Sequence, residues 1–238
     1  MPLNKSRGNM YPWVTHTHSH LAGECPHRCS YCYVGRSRWG RPARYTGPIR
    51  AVEDEIRVNY GSGKTIFMEH MNDLWAAEVD DKFITAVLAH CRSYPLNCYV
   101  FQTKNPGRYL EFLEYLPPRR LLGCTIETNR NFPPEIVGKA PKPIERARAM
   151  CAIPGPSFVT IEPILEFDPF VLSVWLNLIG PNFVNIGADS KMSGLPEPGA
   201  EDIQAFVATI HHSIEIREKR NLERLLHPDS NYNRKARE

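Results

Sequence analysis

Cys25-Pro-His-Arg-Cys29-Ser-Tyr-Cys32 is a C-x3-C-x2-C stretch, and its place in the chain decides how the rest is read. Three thiolates spaced this closely can bind three corners of an iron–sulfur cubane and leave the fourth iron without a cysteine ligand. An open coordination position is what a reactive metal site needs. With His27 as a fourth donor the same stretch would make a Cys3His zinc site, although a ligand inside the first Cys-x3-Cys loop is tight for that geometry. Disulfides are the weaker reading of the seven cysteines. Three crowd into this one stretch, and Cys91, Cys98, Cys124 and Cys151 are scattered through apolar segments as expected of small buried hydrophobes.

The stretch follows one predicted strand, 13–18, and precedes five more at 65–68, 98–102, 121–126, 158–161 and 183–186. Each is rich in β-branched or aromatic residues and bounded by Gly, Pro or polar residues. Apolar stripes at i, i+3, i+4 and i+7 predict helices between and after them. The stripes are Ile49-Val52-Ile56-Tyr60, Phe83-Ile84-Val87-Leu88-Cys91, Tyr109-Leu110-Leu113-Leu116, Ile144-Ala147-Cys151, Leu172-Trp175-Leu176-Ile179 and Ile203-Phe206-Val207-Ile210-Ile214. Six strands, each followed by a helix, predict parallel βα units in a barrel-like or doubly wound α/β sheet. One domain is expected over 1–227, with 228–238 a mobile polar tail.

Hydrophobic residues make up 42% and charged residues 23% of the 238, an ordinary globular composition. No apolar run approaches bilayer-spanning length and the first residues lack the layout of a secretory signal, so a cytoplasmic chain is expected. A net charge of +3 is too small to announce a nucleic-acid protein, but its distribution is uneven. Arg36, Arg38, Arg41, Arg44 and Arg50 crowd behind the cysteines with Trp39 and Tyr45 among them. Such a segment can bind phosphates and stack on bases, or remain a solvated loop. His16, His18 and His20 alternate, so on a strand they share a face, and a polar lining leading to the cysteines is expected in preference to a second metal site. Cys124 at a strand end is expected to be a small buried residue, with a hydrogen relay as the sharper alternative. Gly61-Ser-Gly63-Lys64-Thr65 has no leading glycine at the right spacing and runs into a strand, so it is not a phosphate loop.

With Tyr31 just before the third cysteine, the C-x3-C-x2-C stretch resembles the signature of the radical S-adenosylmethionine (SAM) superfamily. That resemblance implies an α/β fold, an open (β/α)6 partial TIM barrel, with the cluster in the loop after strand one. It implies a [4Fe–4S] cluster on Cys25, Cys29 and Cys32 whose open iron chelates SAM, and reductive cleavage of SAM to methionine and a 5′-deoxyadenosyl radical that abstracts a substrate hydrogen. A flavodoxin or ferredoxin-type electron donor is implied with it. The strand ends Phe67-Met-Glu-His-Met-Asn-Asp73, Phe101-Gln-Thr-Lys104, Gly123-Cys-Thr-Ile-Glu127, Val159-Thr-Ile-Glu-Pro163 and Asn185-Ile-Gly-Ala-Asp189 resemble phage-associated three-cysteine-motif radical SAM proteins and, more distantly, spore photoproduct lyase.

Carried over residue by residue, the resemblance implies that Asn72 and Asp73 hold the SAM amino group and that Lys104 and Thr125 bind its carboxylate. Glu127 would reach the ribose hydroxyls, while the backbone near Glu162 and Tyr31 flanks the adenine. A partner protein encoded nearby is implied as well, and nucleic acid bound through Arg36 to Arg50 is a candidate substrate. One position departs from the lyase pattern: Met71 stands where that family carries a hydrogen-donating cysteine. A thioether has no S–H to give, so lesion reversal by the lyase mechanism is not expected. From a different class, the rival expectation is a non-catalytic zinc-bearing nucleic-acid-binding protein. An electron carrier is a third, against which the polar strand ends argue, since a carrier needs no such cavity.

Overall fold

The computed structural model describes residues 3–7, 10–36, 40–210 and 212–228. Its strands are β1 (Asn4–Lys5), β2 (His16–His18), β3 (Leu21–Ala22), β4 (Arg50–Ala51), β5 (Thr65–Met68), β6 (Cys98–Thr103), β7 (Arg120–Thr125), β8 (Ser157–Ile161), β9 (Phe183–Ile186) and β10 (Glu215–Glu218). Its α-helices are α1 (Asp81–Arg92), α2 (Pro134–Val137), α3 (Pro143–Cys151), α4 (Pro169–Ile179), α5 (Ala200–Ile210) and α6 (Glu223–Leu226). Eight of these strands form one sheet in the order β1-β2-β5-β6-β7-β8-β9-β10, parallel except for the antiparallel β1–β2 pair. The sheet is not closed, so the fold is an open α/β partial barrel. β3 and β4 pair separately, Leu21 opposite Ala51, and the chain between them is the cysteine loop.

All six predicted strands are present, and two more join the main sheet at its edges. Those two, Asn4–Lys5 and Glu215–Glu218, are polar and exposed or half-buried, so no apolar run marks them. Ile214, predicted to lie on the last helix, falls beyond Ile210 and leads into β10. The stripe from Ile49 to Tyr60 does not form an α-helix. Arg50–Ala51 pairs with β3, and a 3-10 turn over Glu53–Arg57 follows, because Glu55 is drawn inward by Arg44 and His18. The stripe from Tyr109 to Leu116 begins in a 3-10 helix over Pro106–Phe112, where the Arg108 guanidinium reaches back to the carbonyls of Ala76 and Val79 at 2.6 and 2.9 Å. On α3 the buried face is Arg146, Ala147 and Met150, so Cys151 is exposed and the stripe predicted through it is rotated. Tertiary contacts override local periodicity in each case. Residues 229–238 of the predicted tail lie outside the described residues.

Two cores result. One lies between the sheet and the segments that cover its outer face, and includes Ile84, Val87 and Leu88 of α1, Leu172 and Leu176 of α4, and Ile203 and Phe206 of α5. The other fills the barrel interior with Tyr11, Val14, Phe67, Val100, Phe158 and Phe183. Phe158 and Phe183 stack at 5.3 Å, and Tyr11 stacks on Trp13 at 5.2 Å. Gly123 makes room for this cluster: a Cβ there would stand 2.1 Å from Phe158 Cζ. Gly123→Ala is therefore expected to overpack the interior and cost about 1–3 kcal/mol, read as a lower urea midpoint at unchanged slope.

The alternating histidines do not line the site. His16 is half-buried beside Thr15, whereas His18 and His20 are buried under residues 55–60. His20 bridges Glu69, at 2.8 Å from Nδ1, and the Tyr60 hydroxyl, at 2.7 Å from Nε2. Burial, with His20 adjacent, lowers His18 to about 4 against the opposing pull of Glu55. Between that value and 6.5 the unfolded chain binds a proton that the folded chain refuses. The contribution is complete above pH 6.5 and is lost as pH falls toward 4, by up to about 3 kcal/mol. Stability measured from pH 7 to pH 4 should fall less steeply in His18→Gln than in the native chain.

Candidate functional site

Turns shape the cysteine loop: Arg28 N–H donates to Cys25 O at 3.2 Å, Cys32 N–H to Cys29 O at 3.1 Å and Gly35 N–H to Cys32 O at 3.1 Å. Its back rests on the end of α2. Ser30 donates to the Ile136 carbonyl through both N–H and Oγ, and Lys139 N–H reaches His27 O at 2.6 Å. Gly138, at φ +77°, permits this approach, since a Cβ there would lie 2.0 Å from His27 O. All three thiols are free and half-buried, and face a cavity of about 620 Å³ at the C-terminal ends of the strands. A volume of that size suits a nucleoside-sized ligand. Burial first, and then Asp73, push the Cys25 thiol well above its usual value, so thiolate there calls for a compensating cation.

Of the sequence-predicted residues, Tyr31, Asn72, Asp73, Lys104, Thr125 and Glu162 share this cavity with Cys25, Cys29 and Cys32. Asp73 is a hub. Its Oδ2 accepts from His27 Nε2 at 2.8 Å, Thr103 Oγ1 at 2.8 Å and the Lys104 N–H at 3.0 Å, and Oδ1 accepts from the Trp75 N–H at 2.9 Å. Burial alone would raise this carboxyl; the facing His27 and the hydrogen bonds outweigh it and hold it low. Asn72 ties the cysteine loop to β5's end by donating to Gly23 O at 3.1 Å. Glu162 accepts from Lys219 at 2.7 Å and Asn221 at 3.1 Å.

Glu127 does not line the cavity. Its carboxylate is fully buried, paired with Arg146 at 2.6 Å and contacted by the Tyr31 hydroxyl and the Lys104 ammonium. Lys104 also donates to Tyr31 OH at 2.8 Å, and burial lowers its ammonium to about 8. Cys124 lies fully buried behind this group, its thiol pushed up to about 12 by burial. The wall also carries Met71.

The described arginines behind the cysteines are bound internally. Arg44 holds Glu55 and Ser19 O, each at 2.7 Å, Arg36 donates to Ser30 O at 2.6 Å, and Arg50 reaches the carbonyls of Thr46 and Pro48. Arg41 sits 3.9 Å from Glu24. These contacts brace the loop. Arg38 and Trp39 lie outside the described residues.

Sequence reasoning missed the cavity floor. The Tyr11 hydroxyl, from the segment before β2, joins Gln102 Oε1 at 2.9 Å and Thr160 Oγ1 at 2.8 Å, and Gln102 donates to Thr125 Oγ1 at 2.9 Å. Gln102 and Thr160 stand two residues before Lys104 and Glu162, on the barrel-facing side of apolar strands, which is the signal that could have found them.

No family model matches the chain, and no curated protein matches it in sequence. Solved structures do match in fold. Spore photoproduct lyase complexed with dinucleoside spore photoproduct superposes with a TM-score of 0.60 at 10% identity, covering 89% of this chain and 78% of that one. A variant of that lyase with bound AdoMet and dinucleoside spore photoproduct gives 0.53 at 11% identity, covering 87% and 64%. Streptococcus suis SuiB bound to precursor peptide SuiA gives 0.61 at 10% identity, covering 90% of this chain and 50% of that one. The chain thus has the open α/β barrel fold of these proteins, with its three cysteines in the loop that follows the first parallel strand.

Proposed function

We propose that this chain is a radical SAM enzyme. The observation that carries the reading is that three free thiols of one loop border a cavity whose walls also bear Asn72, Asp73, Lys104 and Thr125. The donor set fits a [4Fe–4S] cluster with one open iron, since the motif supplies three cysteine thiols at the spacing such a cluster takes. The fold shared with spore photoproduct lyase and SuiB, both radical SAM enzymes, supports the same reading.

When bound, the cluster and SAM supply one-electron cleavage of the sulfonium to methionine and a 5′-deoxyadenosyl radical that takes a hydrogen atom from substrate. The chain's residues hold and orient. Cys25, Cys29 and Cys32 ligate iron, and Asn72 and Asp73 offer oxygen acceptors to an ammonium. Lys104 and the Thr125 hydroxyl offer donors to a carboxylate. Tyr31 and Glu162 stand at the wall for the adenine, and Glu127 acts through Lys104 and Tyr31 unless a ligand draws it toward ribose hydroxyls.

We place the chain with the phage-associated three-cysteine-motif proteins, as one catalytic unit over 1–227 working in the cytoplasm with a flavodoxin or ferredoxin-type donor and a partner protein encoded nearby. Among the described residues no helix is long and apolar enough to cross a membrane. The substrate we favour is nucleic acid, supported by the dinucleoside spore photoproduct with which the lyase neighbour is complexed; its phosphates would meet cations lining the cavity such as Arg7 and Lys191, since Arg44 and Arg50 are held internally. Anaerobic reconstitution with iron and sulfide, followed by dithionite and SAM, should yield 5′-deoxyadenosine. Brown protein that binds SAM but never forms it sinks the proposal.

A further inference from the structure

Behind the cysteine loop lies a buried charge group that ligand contact alone does not explain. Glu127 Oε2 pairs with Arg146 Nη1 at 2.6 Å, while Oε1 is shared by Tyr31 and Lys104. Arg146 comes from α3, is fully buried and does not line the cavity. It also donates to Pro141 O at 2.6 Å and Thr125 O at 2.8 Å, and its Nη2 has no hydrogen-bond partner among the described residues. Carbonyls solvate a guanidinium without neutralising it. One carboxylate therefore faces two cations, Arg146 fully buried and Lys104 at the cavity wall, and the group carries net positive charge.

Tyr31 links this charge to the metal-binding loop. It stands between Cys29 and Cys32, its hydroxyl is fixed by Glu127, and both Cys29 and Arg146 act electrostatically on it and on Lys104. Salt cannot screen such a charge as it screens one at the surface. An arginine also keeps its proton when buried, which a lysine need not.

We propose that Arg146 and Glu127 form a positioning and charge-setting pair for the cluster, fixing Tyr31 within the cysteine loop and favouring the reduced, more negative state of the metal group. The inference rests on the reading of Cys25, Cys29 and Cys32 as cluster ligands. Reduction adds one electron, supplied from outside by the reductant, and needs no proton at these residues. A fixed positive charge nearby raises the midpoint potential, as surrounding charge does for such clusters.

The test is a dithionite titration, with mediators, of the full chain reconstituted under anaerobic conditions, following the reduced cluster by EPR. Arg146→Met removes the cation and should lower the midpoint. Glu127→Gln removes the anion at constant shape and should raise it. The double variant Arg146→Met/Glu127→Leu leaves the net charge of the group unchanged and should titrate near the native chain. A purely structural pair would move both single variants the same way, and that result, or unmoved midpoints, overturns the inference. Should Arg146→Met fail to fold, a raised midpoint in Glu127→Gln with a native one in the double variant supports the inference, and any other pattern overturns it. Native protein that takes up no iron overturns the cluster assignment and this inference with it, whereas iron uptake with unmoved midpoints overturns the inference alone.

Discussion

Glu127→Leu is expected to lower folding stability by about 3–5 kcal/mol, equivalent to roughly 6–20 °C in thermal midpoint for a chain of this size. The substitution strands Arg146, a fully buried cation that cannot shed its proton, with only the carbonyls of Pro141 and Thr125 as partners. Lys104 is less affected because its ammonium borders the cavity and can turn toward solvent. Arg146→Met should cost less than Glu127→Leu, since Lys104 and Tyr31 still hold the carboxylate. The double variant, with apolar side chains on both sides, should recover much of the loss, because desolvation of the pair opposes its attraction. Urea unfolding of the four proteins gives the coupling directly. Losses that simply add would show that the two residues do not act as a pair.

Cys29→Ala is expected to reduce both reconstituted iron and 5′-deoxyadenosine to the level of a protein-free control while leaving the fold intact. Cys29 is half-buried on a loop, so truncating one thiol creates little cavity. Among the described residues no other cysteine lines the cavity, since Cys91 and Cys124 are fully buried and Cys98 and Cys151 do not border it. No other described cysteine is therefore at hand to replace the lost thiolate. His27→Ala supplies the contrast. It removes a partner of Asp73 but no ligand of the proposed cluster, so iron should persist; in a Cys3His zinc site it would abolish metal binding. Iron retained at native levels by Cys29→Ala would remove the three-cysteine assignment.

The barrel strands were legible because β5 to β9 are covered on both faces and so read as apolar runs. The edges were not: β1 and β10 owe their pairing to backbone hydrogen bonds, which leave little trace in a polar sequence. Periodicity also misled where buried polar contacts fix the chain, as with Glu55 under Arg44 and Arg108 under the 76–79 turn. Most of the candidate site was readable from the cysteine spacing and the polar residues at strand ends. Arg146 was not, although its signal was present. It lies on the same face as Ala147 and Met150, and an arginine on the buried side of a helix needs a buried anion to meet it. Tyr11 escaped for another reason. Only the folded chain shows that the segment before the first parallel strand returns across the barrel interior, where its hydroxyl meets Gln102 and Thr160.

The most direct test of the central claim is the EPR spectrum of the reduced, reconstituted protein before and after SAM is added, alongside its iron and zinc content. A radical SAM enzyme should give about four irons per chain, a signal from a reduced [4Fe–4S] cluster, and a change in that signal when SAM occupies the open iron. Colourless protein holding one zinc and no iron would contradict that claim, and so would a cluster whose spectrum is indifferent to SAM.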